Sequence, residues 1–282
     1  MIPMIDKQFQ SSIAATMIGP LFARAYYGRL YPEILKDPDA EELISQVRTQ
    51  YPDAANEFRA LDEIVDEFVG LALLIRAKTF DDMTREYLIN HPHATIVNLG
   101  CGLDTGFSRL DNGTLSWYDL DLPESINYRL TLIPETTRGH CIPKSIFDRS
   151  WFQDISISPE RGLLFIAGGL FGYFQEKEIY QLLIDMIDFF GKADLLFDIY
   201  SKLGNRILNR RLGKAGVKGV RFLFALDNPR HQLQTWSERI RIKESFSMFS
   251  RISRNPRWSR KTRLYMKLVD CFSIASLIHV SF

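Results

Sequence analysis

The sequence predicts an α/β fold with a mostly parallel sheet, because short apolar strand candidates alternate with helical stretches through the middle of the chain. A long helical stretch precedes them, and a glycine-rich turn follows the first strand candidate directly. The chain has 282 residues, 46% of them hydrophobic and 24% charged, which is ordinary globular composition. We expect one domain spanning residues 1–282, with helices on both faces of the sheet.

The elements follow in a regular order. Residues 1–90 are expected to form a helical cap, since apolar residues keep helical spacing from 60 to 88 with one glycine and no proline. A core is expected over 91–200, an insertion over 201–237 and C-terminal strands over 238–282. The last two strand candidates lie close together, so the final strand should run antiparallel at or near an edge. The seven strand candidates are residues 95–99, 115–120, 139–142, 163–167, 194–199, 239–246 and 273–280.

Composition and targeting signals exclude several classes of protein. The three cysteines form no C-x-x-C pair and the five histidines show no metal-ligand spacing, which predicts neither a disulfide framework nor a metal site. Asp6, Lys7 and Gln8 interrupt the first apolar stretch, unlike a signal peptide. The longest apolar run, residues 163–174, is too short to span a bilayer. We expect a soluble, cytoplasmic protein without a membrane partner.

Charge is distributed unevenly along the chain. Residues 201–282 carry 18 basic and 4 acidic side chains, a net charge of +14, whereas the first 200 residues carry 17 against 30, a net charge of −13. Such polarity predicts either that the two parts attract each other or that the basic part meets an acidic partner. The sequence leaves both alternatives open.

The glycine turn, Asn98–Gly106, carries the first functional signal. Gly100 and Gly102 let the backbone approach a ligand closely, as at the first strand of nucleotide-binding sheets. A dinucleotide site would have its third glycine at position 105, which is a threonine here, so NAD and FAD are disfavoured. Asp119 and Asp121 end the second strand candidate about 20 residues later, where a carboxylate holds ribose hydroxyls. The pattern predicts a nucleoside pocket.

Four segments together resemble one protein family. They are IRAKTFDD before the first strand, LGCGLDTGFSRL at the glycine turn, WYDLDLPESINYR around the second strand and SIFDRSWF after the third. This set is similar to the leucine carboxyl methyltransferase family of class I S-adenosylmethionine-dependent methyltransferases, whose bacterial branch includes polyketide O-methyltransferases of the tetracenomycin type. The resemblance implies a Rossmann-like class I methyltransferase fold with a seven-stranded sheet, and S-adenosylmethionine as the cofactor.

The resemblance also implies roles for individual residues. An arginine would bind the methionine carboxylate, the glycine turn would pass beneath the methionine part, and acidic residues would hold the ribose and address adenine. Asp119 competes with Asp121 for the ribose, Asp148 could equally be a helix N-cap, and Arg76 could be a surface residue. The implied cofactor-binding residues are Arg76, Gly100, Cys101, Gly102, Asp121, Leu122, Asp148, Arg149, Ala167 and Gly168.

Two departures from the family pattern suggest a divergent small-molecule branch. Family members usually have arginine at the position of Gly106, and often a glutamate before the glycine that follows the fourth strand, where this chain reads Ile166-Ala167-Gly168. A side chain at these positions therefore cannot carry a family role here.

Methyl transfer from a sulfonium is an in-line displacement, in which the protein chiefly aligns the reactants and excludes water. A carboxylate acceptor needs no base, whereas a phenol benefits from one. His231, in the insertion expected to cover the substrate, is the first candidate base, with a surface histidine as the alternative. Tyr173 is a second catalytic candidate, and Tyr26 and Tyr27 of the cap are weaker ones.

The expected activity is therefore O-methylation of a polyketide-like carboxylate or phenol. The acceptor would bind either as a free small molecule or on an acidic carrier protein. Two alternatives remain open. An RNA-modifying methyltransferase rests only on the basic C-terminal part, and a cofactor-binding protein without turnover rests on Gly106 and Gly168.

Overall fold

The computed structural model describes residues 17–50, 65–158, 160–214 and 219–282. The predictions for Asp6, Lys7 and Gln8, and the start of the helical stretch at 60–64, lie outside these ranges. The strands are β1 (Thr95–Leu99), β2 (Ser116–Asp121), β3 (Gly139–Pro143), β4 (Leu163–Ala167), β5 (Asp194–Tyr200), β6 (Arg241–Ser247) and β7 (Ala275–Ser281).

These strands form a seven-stranded sheet in the order β3-β2-β1-β4-β5-β7-β6. The first five pair in parallel, while β7 runs antiparallel to both β5 and β6. The predicted architecture is confirmed, including the antiparallel final strand, which lies one position from the edge. The carboxyl ends of β1, β2, β4 and β5 consequently meet at the same edge of the sheet, where open α/β sheets bind their ligands.

The helices connect the strands and cover the sheet. Two short 3₁₀ helices, Arg149–Gln153 and Phe171–Tyr173, lie in the loops after β3 and β4. The α-helices are α1 (Gly19–Leu30), α2 (Pro38–Gln50), α3 (Glu67–Asn90), α4 (Gly106–Leu110), α5 (Pro123–Leu130), α6 (Glu176–Phe190), α7 (Lys202–Lys214), α8 (Pro229–Trp236) and α9 (Arg260–Cys271).

The core lies on both faces of the sheet, because side chains of a strand point alternately to opposite sides. Ile96 of β1 packs with the buried residues of α1, α2 and α3, whereas the next residue, Val97, packs with those of α6. Both side chains are fully buried. The uninterrupted apolar sequence of β1 thus reflects a strand that is covered on both faces.

Within the helical cap, α1 to α3, the longest helix, α3, packs closely against α1. Asp66 caps α3 by accepting a hydrogen bond from the backbone N of Val69 at 3.0 Å. Gly70 lies against the ring of Tyr27, where a Cβ atom would come within 2.0 Å of the ring carbons. Tyr27 also donates its hydroxyl to the carbonyl oxygen of Val65 at 3.2 Å. The one glycine of the helical stretch therefore permits α1 and α3 to touch.

A buried ion network connects the cap to the glycine turn. Arg109 of α4 donates to Asp37 (Nη1 to Oδ2, 2.8 Å) and to Asp81 (Nε to Oδ2, 2.8 Å), and it lies 3.2 Å from Asp104. Arg24 of α1 donates to Asp37 at 2.8 Å and to the carbonyl oxygen of Leu103 at 2.8 Å. Burial alone would raise the pKa of Asp104, but Arg109, Arg24 and Arg129 together hold that pKa below its ordinary value.

Ion pairs within the chain account for part of the charge asymmetry. Among the described residues, basic side chains of the C-terminal part pair with acidic ones of the first 200 in four places: Arg211 with Asp66, Arg239 with Asp188, Lys243 with Asp194, and Arg257 with Glu33. The side chains of Arg260, Arg263 and Lys267 on α9, by contrast, have no hydrogen-bond or ion-pair partner among the described residues, and Nε of Arg263 is buried without an acceptor. Attraction between the two parts therefore accounts for some of the basic charge and not for α9.

In the part of the chain that the structure describes, no helix is both long enough and apolar enough to span a bilayer.

The buried ion network yields a stability prediction. We expect Arg109→Met to lower the free energy of unfolding by about 3–5 kcal/mol, because it leaves three carboxylates without their shared cation. The matched control is Arg85→Met, since Arg85 also lies near Asp81, at 3.6 Å, but its side chain is 49% exposed. The control should cost less than about 1 kcal/mol. Urea unfolding measures both, and equal losses would show that the network does not stabilise the fold as described.

Candidate functional site

The glycine turn closes around the end of β2. The backbone N of Gly100 and that of Cys101 both donate to the carbonyl oxygen of Leu120, at 2.7 and 3.2 Å. Gly100 and Gly102 have φ values of +63° and +50°, which disfavour any other residue. A Cβ atom at Gly100 would lie 2.5 Å from Cδ1 of Leu170, in the loop after β4. The turn and that loop are thus in direct contact at the carboxyl edge.

The two aspartates at the end of β2 have different environments. Asp119 is buried, where it accepts hydrogen bonds from Nη2 of Arg129 at 2.6 Å, Nε1 of Trp117 at 2.9 Å and Nδ2 of Asn98 at 3.1 Å. These partners occupy both of its carboxylate oxygens within the protein. Asp119 is therefore a structural residue beneath the glycine turn.

Asp121 lies two residues farther along, at the edge of the sheet, and is only partly buried. Its Oδ2 accepts from the backbone N of Gly102 at 2.8 Å, and its Oδ1 from that of Leu122 at 2.7 Å. Desolvation raises the pKa of Asp121 despite these bonds. Asp121 is less buried than Asp119 and its carboxylate is not paired with an arginine, so the geometry favours Asp121 over Asp119 for holding a ligand.

Arg76 of α3 also lies at the carboxyl edge of the sheet, beside the loop after β4. Its side chain is 14% exposed, and its Nη1 lies 3.4 Å from Oδ2 of Asp198 on β5. Gly169 has a φ of +69°, and a Cβ atom there would lie 2.5 Å from Nη1 of Arg76. Arg76 is therefore not the exposed surface residue that the sequence left as an alternative. Burial by itself would lower the pKa of Arg76, but Asp198 raises it, so the guanidinium is charged.

Phe222 of the insertion packs against two tyrosines, Tyr173 of the loop after β4 and Tyr200 at the end of β5. Its ring centroid lies 4.8 Å from that of Tyr173 and 5.4 Å from that of Tyr200. Burial raises the pKa of both phenols, and the charges of Arg76 and Asp198 also act on them. We call Tyr173, Tyr200 and Phe222 the aromatic group.

The loop after β4 supplies the remaining predicted residues on this side. Ala167 ends β4 and is fully buried, and a Cβ atom at Gly168 would lie 3.2 Å from the ring of Phe80. The loop is held by the insertion, since the carbonyl oxygen of Gly172 accepts from the backbone N of Leu223 at 2.7 Å. The structure therefore brings Ala167, Gly168 and Tyr173 together with Arg76.

Other predicted residues have contacts that do not link them to this group. Asp148 is exposed and accepts from the backbone N of Ser150 at 3.0 Å, which is the N-cap alternative, so its adenine role stays a prediction. Arg149 pairs with Asp185 of α6 at 2.5 Å. His231 is exposed in the first turn of α8, and the described residues include no hydrogen-bond partner for its side chain.

Four further residues belong to the glycine turn, the end of β2 and the cap. Cys101 is buried, which raises the pKa of its thiol well above the ordinary value, so it is not poised as a nucleophile. Leu122 and Tyr26 are 46% and 43% exposed. A Cβ atom at Gly106 would lie 2.7 Å from Oδ2 of Asp104, so the position has no room for the arginine that the family pattern carries.

Sequence reasoning missed Asp198, Tyr200 and Phe222. The first two stand at the carboxyl end of β5, in the run DIY, and that position was a usable signal because parallel strands present their last residues to the ligand. Phe222 had no local signal. Within the described ranges, no group of three or more histidine, cysteine and acidic side chains could hold a metal ion.

Comparison with known proteins agrees with the motifs. Residues 17–187 match the model of the family described as leucine carboxyl methyltransferase. The chain is 26% identical over 240 residues to the tetracenomycin polyketide synthesis O-methyltransferase TcmP of Streptomyces glaucescens, and the match covers 84% of each chain.

Solved structures share the fold. A candidate methyltransferase from Thermobifida fusca YX has a TM-score of 0.58 at 10% identity, with 80% of this chain and 88% of that chain covered. A DUF574 family protein from Streptomyces avermitilis MA-4680 has a TM-score of 0.54 at 10% identity, with 93% and 98% covered. The matched segment, residues 17–187, is more than half of the chain, so this protein belongs to the leucine carboxyl methyltransferase family and is an S-adenosylmethionine-dependent methyltransferase.

Proposed function

We propose that this protein transfers the methyl group of S-adenosylmethionine to an oxygen of a small, polyketide-like acceptor, by in-line displacement. The observation that carries the proposal is a continuous set of contacts along the carboxyl edge. Arg76 touches Gly169, the adjacent Leu170 touches Gly100, and Gly102 donates to Asp121. Arg76 and Asp121 therefore lie at the two ends of a surface formed by the glycine turn and the loop after β4, which we call the cradle. The relative TcmP, a polyketide O-methyltransferase, supports the class of acceptor.

The residues of the cradle fit the cofactor. A Cβ atom at Gly100 would collide with Leu170, so the close packing of the glycine turn against the loop after β4 requires glycine at this position. Asp121 offers acceptor oxygens suited to a ribose diol, and Arg76 offers donors suited to a carboxylate. When bound, S-adenosylmethionine supplies an electrophilic methyl group on its sulfonium.

The chain's own residues would bind, orient and exclude water. Arg76 would hold the methionine carboxylate and Asp121 the ribose hydroxyls. The aromatic group and the loop at 168–173 would separate the reacting atoms from solvent, which strengthens the electrostatic contacts inside. As the family resemblance implies, the glycine turn would pass beneath the methionine part of the cofactor, and Asp148, in the loop after β3, would address adenine.

The environment of the aromatic group favours a carboxylate acceptor over a phenol. Burial raises the pKa of Tyr173, so its phenol stays protonated near neutral pH and serves as a hydrogen-bond donor rather than a base. Asp198 is the acidic side chain beside Arg76 among the described residues. Its Oδ2 already contacts Arg76, and its Oδ1 accepts a hydrogen bond from the backbone N of Gly169. An acceptor that arrives ionised needs no base. His231 would serve only if the insertion brought it toward the acceptor.

We assign the cover of the acceptor to the insertion, within a single methyltransferase domain of residues 1–282. Asn209 of α7 bonds both backbone polar groups of Phe222, at 2.8 Å each, and so fixes this aromatic residue over the loop after β4. Leu226 donates its backbone N to the carbonyl oxygen of Tyr200 at 3.1 Å. We place the enzyme in the cytoplasm, as its small-molecule chemistry and cofactor suggest.

We propose in addition that the acceptor is presented to the enzyme on an acidic carrier protein. Presentation on an acidic carrier protein is supported by Arg260, Arg263 and Lys267, three basic side chains on α9 for which the described residues provide no partner. The RNA-modifying and non-catalytic alternatives have no specific geometric observation in their favour.

Cofactor binding is the first test. Calorimetric titration should show micromolar binding of S-adenosylmethionine and S-adenosylhomocysteine and none of NADH. Asp121→Ala should weaken binding by about 1.5–3 kcal/mol for each charge-assisted bond lost. Asp148→Ala serves as a comparison, because it removes an exposed carboxylate that is a cofactor residue only if the adenine role holds. An unchanged dissociation constant for Asp121→Ala would remove the ribose role.

The acceptor class has a kinetic signature. With a carboxylate acceptor and no general base, kcat/KM for methylation should be flat from about pH 6 to 9, because the acceptor is ionised throughout. Matched pairs of aromatic carboxylic acids and phenols should be compared by methyl transfer from labelled cofactor. A rate that rises with pH and a preference for phenols would contradict the carboxylate proposal.

The carrier hypothesis predicts an effect of charge reversal on α9. Arg263→Glu combined with Lys267→Glu should weaken binding to a purified acidic carrier protein at least about tenfold at low salt, measured by biolayer interferometry. The control is Lys192→Glu combined with Arg241→Glu, which reverses two exposed cations away from α9 and so changes the net charge by the same amount. Equal binding by the two variants would rule out α9 as the docking surface.

A further inference from the structure

A buried carboxylate on β5 connects two parts of the cradle. The side chain of Asp198 is 1% exposed. Its Oδ1 accepts from the backbone N of Gly169 at 2.5 Å, and its Oδ2 lies 3.4 Å from Nη1 of Arg76. Because Ala167 at the end of β4 pairs with Phe197, Asp198 follows directly at the level where the loop after β4 begins. One side chain therefore contacts both the arginine and the loop.

The position of Arg76 is set from two directions. Asp198 attracts its guanidinium, and the backbone of Gly169 leaves space for the guanidinium only because it has no Cβ atom. The 3.4 Å contact is made by Nη1 alone, so the guanidinium retains donors for a second anion. Asp198 orients the group without consuming its capacity to bind a ligand.

Desolvation explains why this partner is required. Arg76 directly follows the buried residues Leu74 and Ile75 on an apolar stretch of α3, and a buried cation without a counter-charge is costly. Asp198 supplies the counter-charge before any ligand arrives. The guanidinium is thereby held charged and in place, which lowers the ordering cost of binding an anion there.

We propose that Asp198 is a positioning residue. It holds Arg76 and the backbone of Gly169 in the arrangement in which Arg76 receives the methionine carboxylate of the cofactor. This inference rests on the proposed cofactor role of Arg76. This positioning role has a specific consequence. Loss of the Asp198 charge should weaken the binding of ligands that carry the amino-acid part of the cofactor, and it should leave unchanged the binding of ligands that end at the thioether.

The test compares two ligands on one variant. Asp198→Asn keeps the volume and an acceptor for the backbone N of Gly169 but removes the charge facing Arg76. By calorimetry, S-adenosylhomocysteine should bind about tenfold more weakly or worse, whereas 5′-methylthioadenosine, which lacks the amino-acid part, should bind within about twofold of wild type. Asp188→Asn, whose exposed carboxylate pairs with Arg239, is the matched control and should change neither ligand.

A double-mutant cycle shows whether Asp198 acts through Arg76. In an Arg76→Gln background, Asp198→Asn should cause no further loss of S-adenosylhomocysteine affinity. An additive loss would mean that Asp198 contacts the ligand independently and would overturn the positioning role. An unchanged affinity for Asp198→Asn alone, or equal weakening of both ligands, would overturn it as well.

A second variant keeps the proposal testable if Asp198→Asn does not fold. Gly169→Ala leaves the charge of Asp198 intact but forces Arg76 from its place, so it should weaken S-adenosylhomocysteine and spare 5′-methylthioadenosine. Equal effects on the two ligands would count against the proposal. Failure of the proposed role of Arg76 is distinguishable, because Arg76→Gln by itself would then leave the affinity for S-adenosylhomocysteine unchanged.

Discussion

The buried ion network around Arg109 is the constraint on which the rest of the site depends. It brings together Asp37 from the cap, Asp81 from α3 and Asp104 from the glycine turn, and Arg24 adds a bond to the turn's backbone. Such a network costs desolvation, and its charges are mutually compensated only when all the elements are in place. It therefore specifies one arrangement of cap and turn, in which α3 also carries Arg76 to the edge of the sheet.

Beneath the turn, a second buried pair separates two neighbouring carboxylates by role. Arg129 donates to Asp119 and to the carbonyl oxygens of Gly102 and Asp104, at 3.1 and 2.7 Å for the carbonyls. With Asp119 committed to this support, Asp121 is the carboxylate that we propose for ligand binding. On the other side of the site, Asp198 compensates the charge of Arg76 and accepts a hydrogen bond from the backbone N of Gly169. The two charged groups that we propose as ligand-binding residues are thus each fixed by contacts within the protein.

The C-terminal part closes the structure and accounts for part of its unequal charge. The connection between β6 and β7 packs on the cap, where Glu67 accepts from the backbone N of Ser259 at 3.2 Å and Arg257 pairs with Glu33. The insertion in turn carries Phe222 to the carboxyl edge. The acidic and basic parts of the chain are therefore joined at several points, and α9 retains basic charge at the surface.

The sequence by itself determined the sheet, the cradle and the family, because these depend on local patterns. Apolar β-branched runs predict buried strands, and a glycine turn requires positive φ within a few residues. The supporting contacts of Asp119, the burial of Arg76 and the places of Asp198 and Phe222 beside it were decided only by tertiary structure. Arg76 and Asp198 are 122 residues apart in the chain, and no local pattern reports which distant charge compensates a buried one. Burial and pairing are properties of the packed molecule, so they emerge only when the strands and the cap meet.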